Sequence, residues 1–247
     1  MSGDLVSLRL LLVAADPPHA ELWREAAARA PVPIEFEACD AAVAKAALRK
    51  GGVDICVLDG GMDDADKASV IKAARAKQPT PLVFVSAPRG SSRPADIDGT
   101  LTKPADSIDA RKAVETCIRA KMPTPVLIAD ESDSMRGIVR KILAASRFEL
   151  DIHEAEDSSA ALGQLRNGNF AMVFLDYNMP GLNGADILAG IKRESPKVAI
   201  VMMTSTLTRG ASGRPHLSGA LGFLKKPFYP AEVDAMLERY FGLHQSS

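Results

Sequence analysis

The sequence predicts an α/β protein made of two tandem domains, each a doubly wound sheet of five parallel strands. Three observations predict it. Short apolar runs end on a polar residue, helical stretches alternate with those runs, and the whole pattern occurs twice, with Asp59 and Asp176 in matching places 117 positions apart. Parallel strands need crossover connections, and right-handed crossovers lay helices on both faces of the sheet.

The elements follow in order. "RLLLVAAD" reads as the first strand, "VDICVLDGGMDD" as the strand ending at Asp59, "TPLVFVSA" as a later one and "GTLTKP" as the last. In the second copy "PVLIADES", "FLDYNMPGLNG", "KVAIVMMTS" and "GFLKKP" take the same places. The run from Ala171 to Leu175 is apolar on both alternating faces, which suits a strand buried on both sides. Between strands, Met135, Ile138, Val139, Ile142 and Leu143 recur at helical spacing. Asp157 opens "SSAALGQLRNG", which stops at Asn-Gly, and "PAEVDAMLERYFG" supplies the last helix. Two prolines in "KMPTP", residues 121–125, end one helix and begin a strand, which divides the chain into 1–121 and 122–247.

A chain of 247 residues with 47% hydrophobic content can bury two real cores. Its 30 Lys+Arg balance 31 Asp+Glu, so there is no basic footprint for nucleic acid. The N-terminal apolar stretch is too short to span a bilayer and lacks the flanks of a signal peptide, so a cytoplasmic chain without membrane insertion is expected. Cys39, Cys56 and Cys117 are scattered without metal spacing, and His19, His153, His216 and His244 form no cluster.

The C-terminal ends of strands in such a sheet converge on one edge, where ligands bind. In the second half that edge collects Asp130, Glu131, Asp176, Thr204 and Lys226. Asp176 on its own reads equally well as a turn opener. Gathered acids repel one another, however, and a hard cation that offsets the repulsion points to Mg²⁺.

At these residues the chain resembles a known family. "IADES", "LDYNMPGLNG", "MMTS" and "FLKKPF", in that order on those strands, are similar to the receiver domain of bacterial two-component response regulators. That resemblance implies a flavodoxin-like fold and two tandem receivers. It makes Asp176 the phosphoacceptor, taking a phosphoryl group from a histidine kinase or phosphotransfer protein. Asp130, Glu131, Asp176 and the backbone carbonyl of Asn178 would hold Mg²⁺. Lys226 would pair with a phosphoryl oxygen and Thr204 with another, and Pro227 would follow a cis peptide. Phe223 falls at the family's aromatic switch, although an ordinary core aromatic fits the same position.

The first copy departs from the pattern. It keeps Asp59, Ser86 and Lys103, with Asp16 as the one acid left at the first strand and Ala14-Ala15 before it. Thr100 stands at the switch position, and Asp63 and Asp64 add negative charge after Asp59. Ser86 to Lys103 spans 17 steps against 22 from Thr204 to Lys226, and "APRGSSRPADIDG" has loop composition, so the fourth helix is expected to be short or absent. Asp59 is a second candidate acceptor with weakened Mg²⁺ binding. In the second copy the Gly- and Pro-rich "TLTRGASGRPHLSGALG" is either a mobile segment ordered by phosphorylation or a short helix begun near Pro215.

No output domain is legible. The resemblance therefore implies a phosphoacceptor rather than an enzyme, whose output is a surface that docks a downstream protein or a second copy. Two alternatives remain. An Asp-nucleophile, Mg²⁺-dependent phosphatase would need a D-x-D pattern where Asn178 stands, and a structural pseudo-receiver pair would leave the second site without a use.

Overall fold

A computed structural model describes residues 7–14, 16–76, 78–179, 184–205 and 219–243. Its contacts divide the chain into two compact units. The described residues of Met1–Lys121 and Phe241–Ser247 form one, and those of Met122–Tyr240 form the other.

The first unit runs β1 (Leu8–Val13), α1 (Pro17–Ala28), β2 (Ile34–Cys39), α2 (Ala41–Lys50), β3 (Ile55–Asp59), α3 (Asp64–Arg75), β4 (Leu82–Ala87), β5 (Gly99–Thr102) and α4 (Ser107–Lys121). Its five parallel strands lie in the order β2-β1-β3-β4-β5. The second unit runs β6 (Thr124–Ala129), α5 (Asp133–Ala144), β7 (Leu150–Ala155), α6 (Ser158–Asn167), β8 (Met172–Asp176), α7 (Gly184–Glu194), β9 (Ala199–Thr204), β10 (Gly222–Lys225) and α8 (Pro230–Phe241). Its order, β7-β6-β8-β9-β10, repeats the first. Both have the flavodoxin-like order of a doubly wound parallel sheet.

Sequence explains which strands sit inside. β3 and β8 are buried along their whole length, as runs without polar alternation require. The outer strands β2 and β7 alternate, with Glu35 and Glu37 exposed in one and Asp151 and His153 in the other. The starts of α2 and α6 are capped by the aspartate that precedes each. Asp40 accepts from the N–H groups of Ala42 and Val43, both at 2.9 Å, and Asp157 from Ala160 at 2.7 Å.

Among the described residues, the first unit has no helix between β4 and β5. Residues 88–98 instead form a loop tied down by Arg75. Its guanidinium donates to the carbonyls of Pro81 (3.0 Å) and Asp96 (2.7 and 3.1 Å) and to Asp98 Oδ2 (2.8 Å). The same Asp98 oxygen accepts from the Val83 N–H at 2.6 Å, which welds the loop to β4. The outer edge of β5 is also occupied within this unit. Leu243, fully buried, accepts through its carbonyl from the Thr100 N–H (2.8 Å) and the Thr100 hydroxyl (3.0 Å). The segment 206–218, which carries most of the Gly- and Pro-rich stretch, lies outside the described residues.

Candidate functional site

In the second unit, Asp176 closes the central strand β8, Asp130 follows β6 and Lys226 follows β10, so three strand ends bring them together. Lys226 Nζ sits 2.6 Å from Asp130 Oδ2 and 2.9 Å from Asp176 Oδ1. Both carboxylates are buried, at 2% and 7% exposure. Burial by itself would pull the Lys226 ammonium down, but the hydrogen bonds and charges of Asp130 and Asp176 outweigh it and leave its pKa above the ordinary lysine value. The Lys226 N–H bonds the Thr204 carbonyl at 2.8 Å, and the Lys226–Pro227 peptide is cis. Asp130 Oδ1 accepts from the Ser132 N–H at 2.9 Å.

These groups open onto a cavity of about 500 Å³. Glu131, Asn178 and Ser205 line its polar end, while Met135, Ile138, Ile142 and Phe228 line the rest. Thr204 ends β9 and is buried. Phe223, on β10, is half-buried and packs against the core with Leu175 and Met202. Among the described residues no three His, Cys, Asp or Glu side chains stand close enough to enclose a metal. The donor set nonetheless suits a hard cation. Two buried carboxylates share one ammonium, so the site carries surplus negative charge on oxygen, and Glu131 lies on the same wall.

The matching place in the first unit is built differently. Lys103 Nζ contacts both Asp59 oxygens, at 3.0 and 2.9 Å, and the Gly61 N–H donates to Oδ1 at 2.8 Å. One carboxylate meets one ammonium, and the charge closes. Burial pushes the Asp59 carboxyl up, yet Lys103, the Gly61 N–H and His19 together bring its pKa below the usual aspartate value.

Backbone bonds fix the correspondence between the two units and revise two sequence expectations. Ala14 N–H bonds Cys39 O at 3.1 Å as Asp130 N–H bonds Ala155 O at 3.2 Å, so Ala14 stands where Asp130 stands. Asp16 is no strand-end acid: it is the exposed residue that precedes α1, the place of Ser132. Gly60 N–H bonds Ser86 O and Tyr177 N–H bonds Met203 O, while Lys103 N–H bonds Ala87 O as Lys226 N–H bonds Thr204 O. Ser86 therefore matches Met203, and Ala87, without a hydroxyl, matches Thr204. Pro88 then falls at the place of Ser205 and has no N–H to offer. The acids after Asp59 matter less than their number suggests, because Asp64 is almost fully exposed and paired with Lys67 at 2.9 Å.

One participant was not legible beforehand. His19 is the third residue of α1, the place Met135 holds in α5. It is 4% exposed, with Nε2 3.7 Å from Asp59 Oδ2 and its ring 6.4 Å from that of Trp23. Burial holds its pKa below the usual histidine value despite the nearby carboxylate. The signal available was its four-residue spacing from Trp23 on one helix face. The other described histidine, His153, is exposed beside Asp151. Cys56 and Cys117 are buried free thiols, and burial raises Cys56 to about 12. No helix among the described residues is long and apolar enough to cross a membrane.

Comparison with known proteins fits this geometry. A family model described as response regulator receiver domain matches residues 126–238. Chemotaxis protein CheY-3 of Vibrio cholerae is 33% identical over 118 residues, covering 47% of this chain and 90% of its own. Chemotaxis protein CheY of Pseudomonas aeruginosa is 30% identical over 118 residues, covering 47% and 94%. A solved structure described as a probable two-component system response regulator/GGDEF domain protein superposes with a TM-score of 0.53 at 20% identity, covering 95% of this chain and 98% of its own, which is a likeness of fold. With the relatives spanned almost from end to end, this chain belongs to the response regulator receiver family.

Proposed function

We propose that the second unit accepts a phosphoryl group on Asp176 from a phosphohistidine of a histidine kinase or phosphotransfer protein, and that the first unit does not. The observation that carries this reading is the Lys226 ammonium bridging Asp130 and Asp176 at the mouth of a cavity. A carboxylate oxygen of Asp176 attacks phosphorus, the phosphorus–nitrogen bond of the donor breaks, and the imidazole leaves with its proton. Lys226 moves from the carboxylates to a phosphoryl oxygen, and the Thr204 hydroxyl bonds another. Asp130, Asp176, Glu131 and the Asn178 carbonyl are the groups that would hold Mg²⁺, whose contribution is to offset charge on the transferring group. Output is then a change of protein partner, with Phe223 as the switch ring, in the cytoplasm.

In the first unit, Ala14, Ala87 and Pro88 remove an acid, a hydroxyl and a backbone donor from around Asp59. That set favours a docking or adaptor role for this half. Incubating the full chain with a small phosphodonor and Mg²⁺, followed by intact mass, tests both statements. One adduct is expected in wild type and in Asp59→Asn, and none in Asp176→Asn. An adduct surviving Asp176→Asn would sink the assignment.

A further inference from the structure

We infer that Arg136, anchored by Glu154, is the positioning residue that holds the acid-bearing loop of the second unit and so sets its affinity for a divalent cation. The inference rests on the reading of the Asp176 site given above. Arg136 is the fourth residue of α5, and helical side chains lean toward the helix N-terminus, here over the turn that carries Asp130 and Glu131. Its guanidinium is nearly fully used. Nη1 donates to the carbonyls of Asp130 (2.9 Å) and Glu131 (3.3 Å), Nη2 to Asp133 Oδ1 (3.0 Å) and Nε to Glu154 Oε2 (3.1 Å). Its side chain is only 11% exposed. Glu154 lies on β7, opposite Ile128 of β6. It is also bonded by Arg140, and Arg140 first, then Arg136, keep its carboxyl below the ordinary glutamate value against burial.

Carboxylates gathered at one strand edge push apart, and one turn carries two of them, Asp130 and Glu131. A planar fork that grips two successive carbonyls from behind fixes where their side chains point, without touching the cation.

The first unit supplies an internal control. By the correspondence above, Arg136 falls at Ala20 and Glu154 at Ala38, while Asp130 falls at Ala14. Arg24, at the place of Arg140, instead pairs with Glu21 at 3.2 Å and lies over the Phe36 ring. The acid, its clamp and the clamp's anchor are all absent from the first unit, as expected of residues that act as one unit.

The test uses the full chain. Mg²⁺ affinity is measured by titration calorimetry, and phosphoryl incorporation from a small phosphodonor is followed against Mg²⁺ concentration. Arg136→Ala is expected to raise the half-saturating Mg²⁺ concentration about 10- to 100-fold, with the rate at saturating Mg²⁺ within about threefold of wild type. Arg136→Lys and Glu154→Gln keep most of the packing and are expected to shift it in the same direction by less. The double variant Arg136→Ala/Glu154→Gln should fall short of the sum of its parts. Should Arg136→Ala fail to fold, judged by amide exchange in β6 and β8, the two milder variants decide. Unchanged Mg²⁺ affinity in folded variants, or a loss confined to the saturated rate, overturns the inference and leaves the Asp176 reading standing. No Mg²⁺ binding by wild type overturns both.

Discussion

The two units have the same strand order and the same lysine–aspartate pair at the end of the central strand, yet one pair is electrically closed and the other is not. Lys103 grips both oxygens of Asp59, whereas Lys226 divides itself between Asp130 and Asp176. What separates them is one strand-end acid, Asp130 against Ala14. The doubly wound sheet persists without the second acid, because its stability comes from buried strands and packed helices that the site residues do not supply.

The most damaging way to break this contrast is to turn the second site into the first. Asp130→Ala leaves Asp176 alone with Lys226 and is expected to weaken Mg²⁺ binding by about 100-fold or more, beyond the range seen for outer partners of a ligand; calorimetry reads it directly. The reverse substitution, Ala14→Asp, sharpens the comparison. It restores the acid but not the arginine clamp, so it should gain at most a small part of that affinity.

A smaller effect should separate the two lysines. Lys226→Ala strands two buried carboxylates side by side, and losing one member of a buried charge cluster costs about 3 kcal/mol. Lys103→Ala strands one, and with Lys103 34% exposed against 13% for Lys226 water replaces more of what is lost, so about 1 kcal/mol is expected. Amide exchange protection in β8 and β3 measures each separately, and equal losses would contradict the charge argument.

The smallest effect lies in pH. The Lys226 pKa is raised above 10.5, so its contribution is fully present below that value and is lost only as pH climbs through the higher folded pKa. The Asp59 pKa is lowered below 3.8, so its contribution is present above that value and is lost as pH falls through the lower folded pKa. Exchange protection of β8 should therefore fail first on the alkaline side and that of β3 on the acid side.

Much of this was legible in advance. Four strands of each unit followed from apolar runs, while β2 and β7 were not singled out and the flavodoxin-like order came with the family resemblance; the edge that gathers Asp130, Asp176 and Lys226 followed from where the runs stop. The missing fourth helix of the first unit showed as a short, Gly- and Pro-containing interval. What escaped was register. "VAAD" reads as a strand ending on an acid, but the backbone leaves the sheet after Val13, and Asp16 lands one residue beyond the site, in front of the helix. Ser86 missed the place of Thr204 by one residue for the same reason, since a single step along a strand moves a side chain to the other face. His19 escaped because an isolated histidine carries no pattern, and Arg136 because the two bonds that reach the acid-bearing turn go to backbone carbonyls, which sequence does not display.

The Leu243 carbonyl that takes both Thr100 hydrogens has a colloidal consequence. β5 is the last strand of its sheet, and a terminal strand with bare amides is a template onto which another chain can add. Leu243 acts as a stopper, and Gly99 beneath it leaves no room for a side chain, since an added Cβ would sit 2.7 Å from that of Leu243. A chain ending at Tyr240 uncovers the Thr100 amide and should associate with rising concentration in light scattering. If it stays as monodisperse as the full chain, the edge is protected by other means.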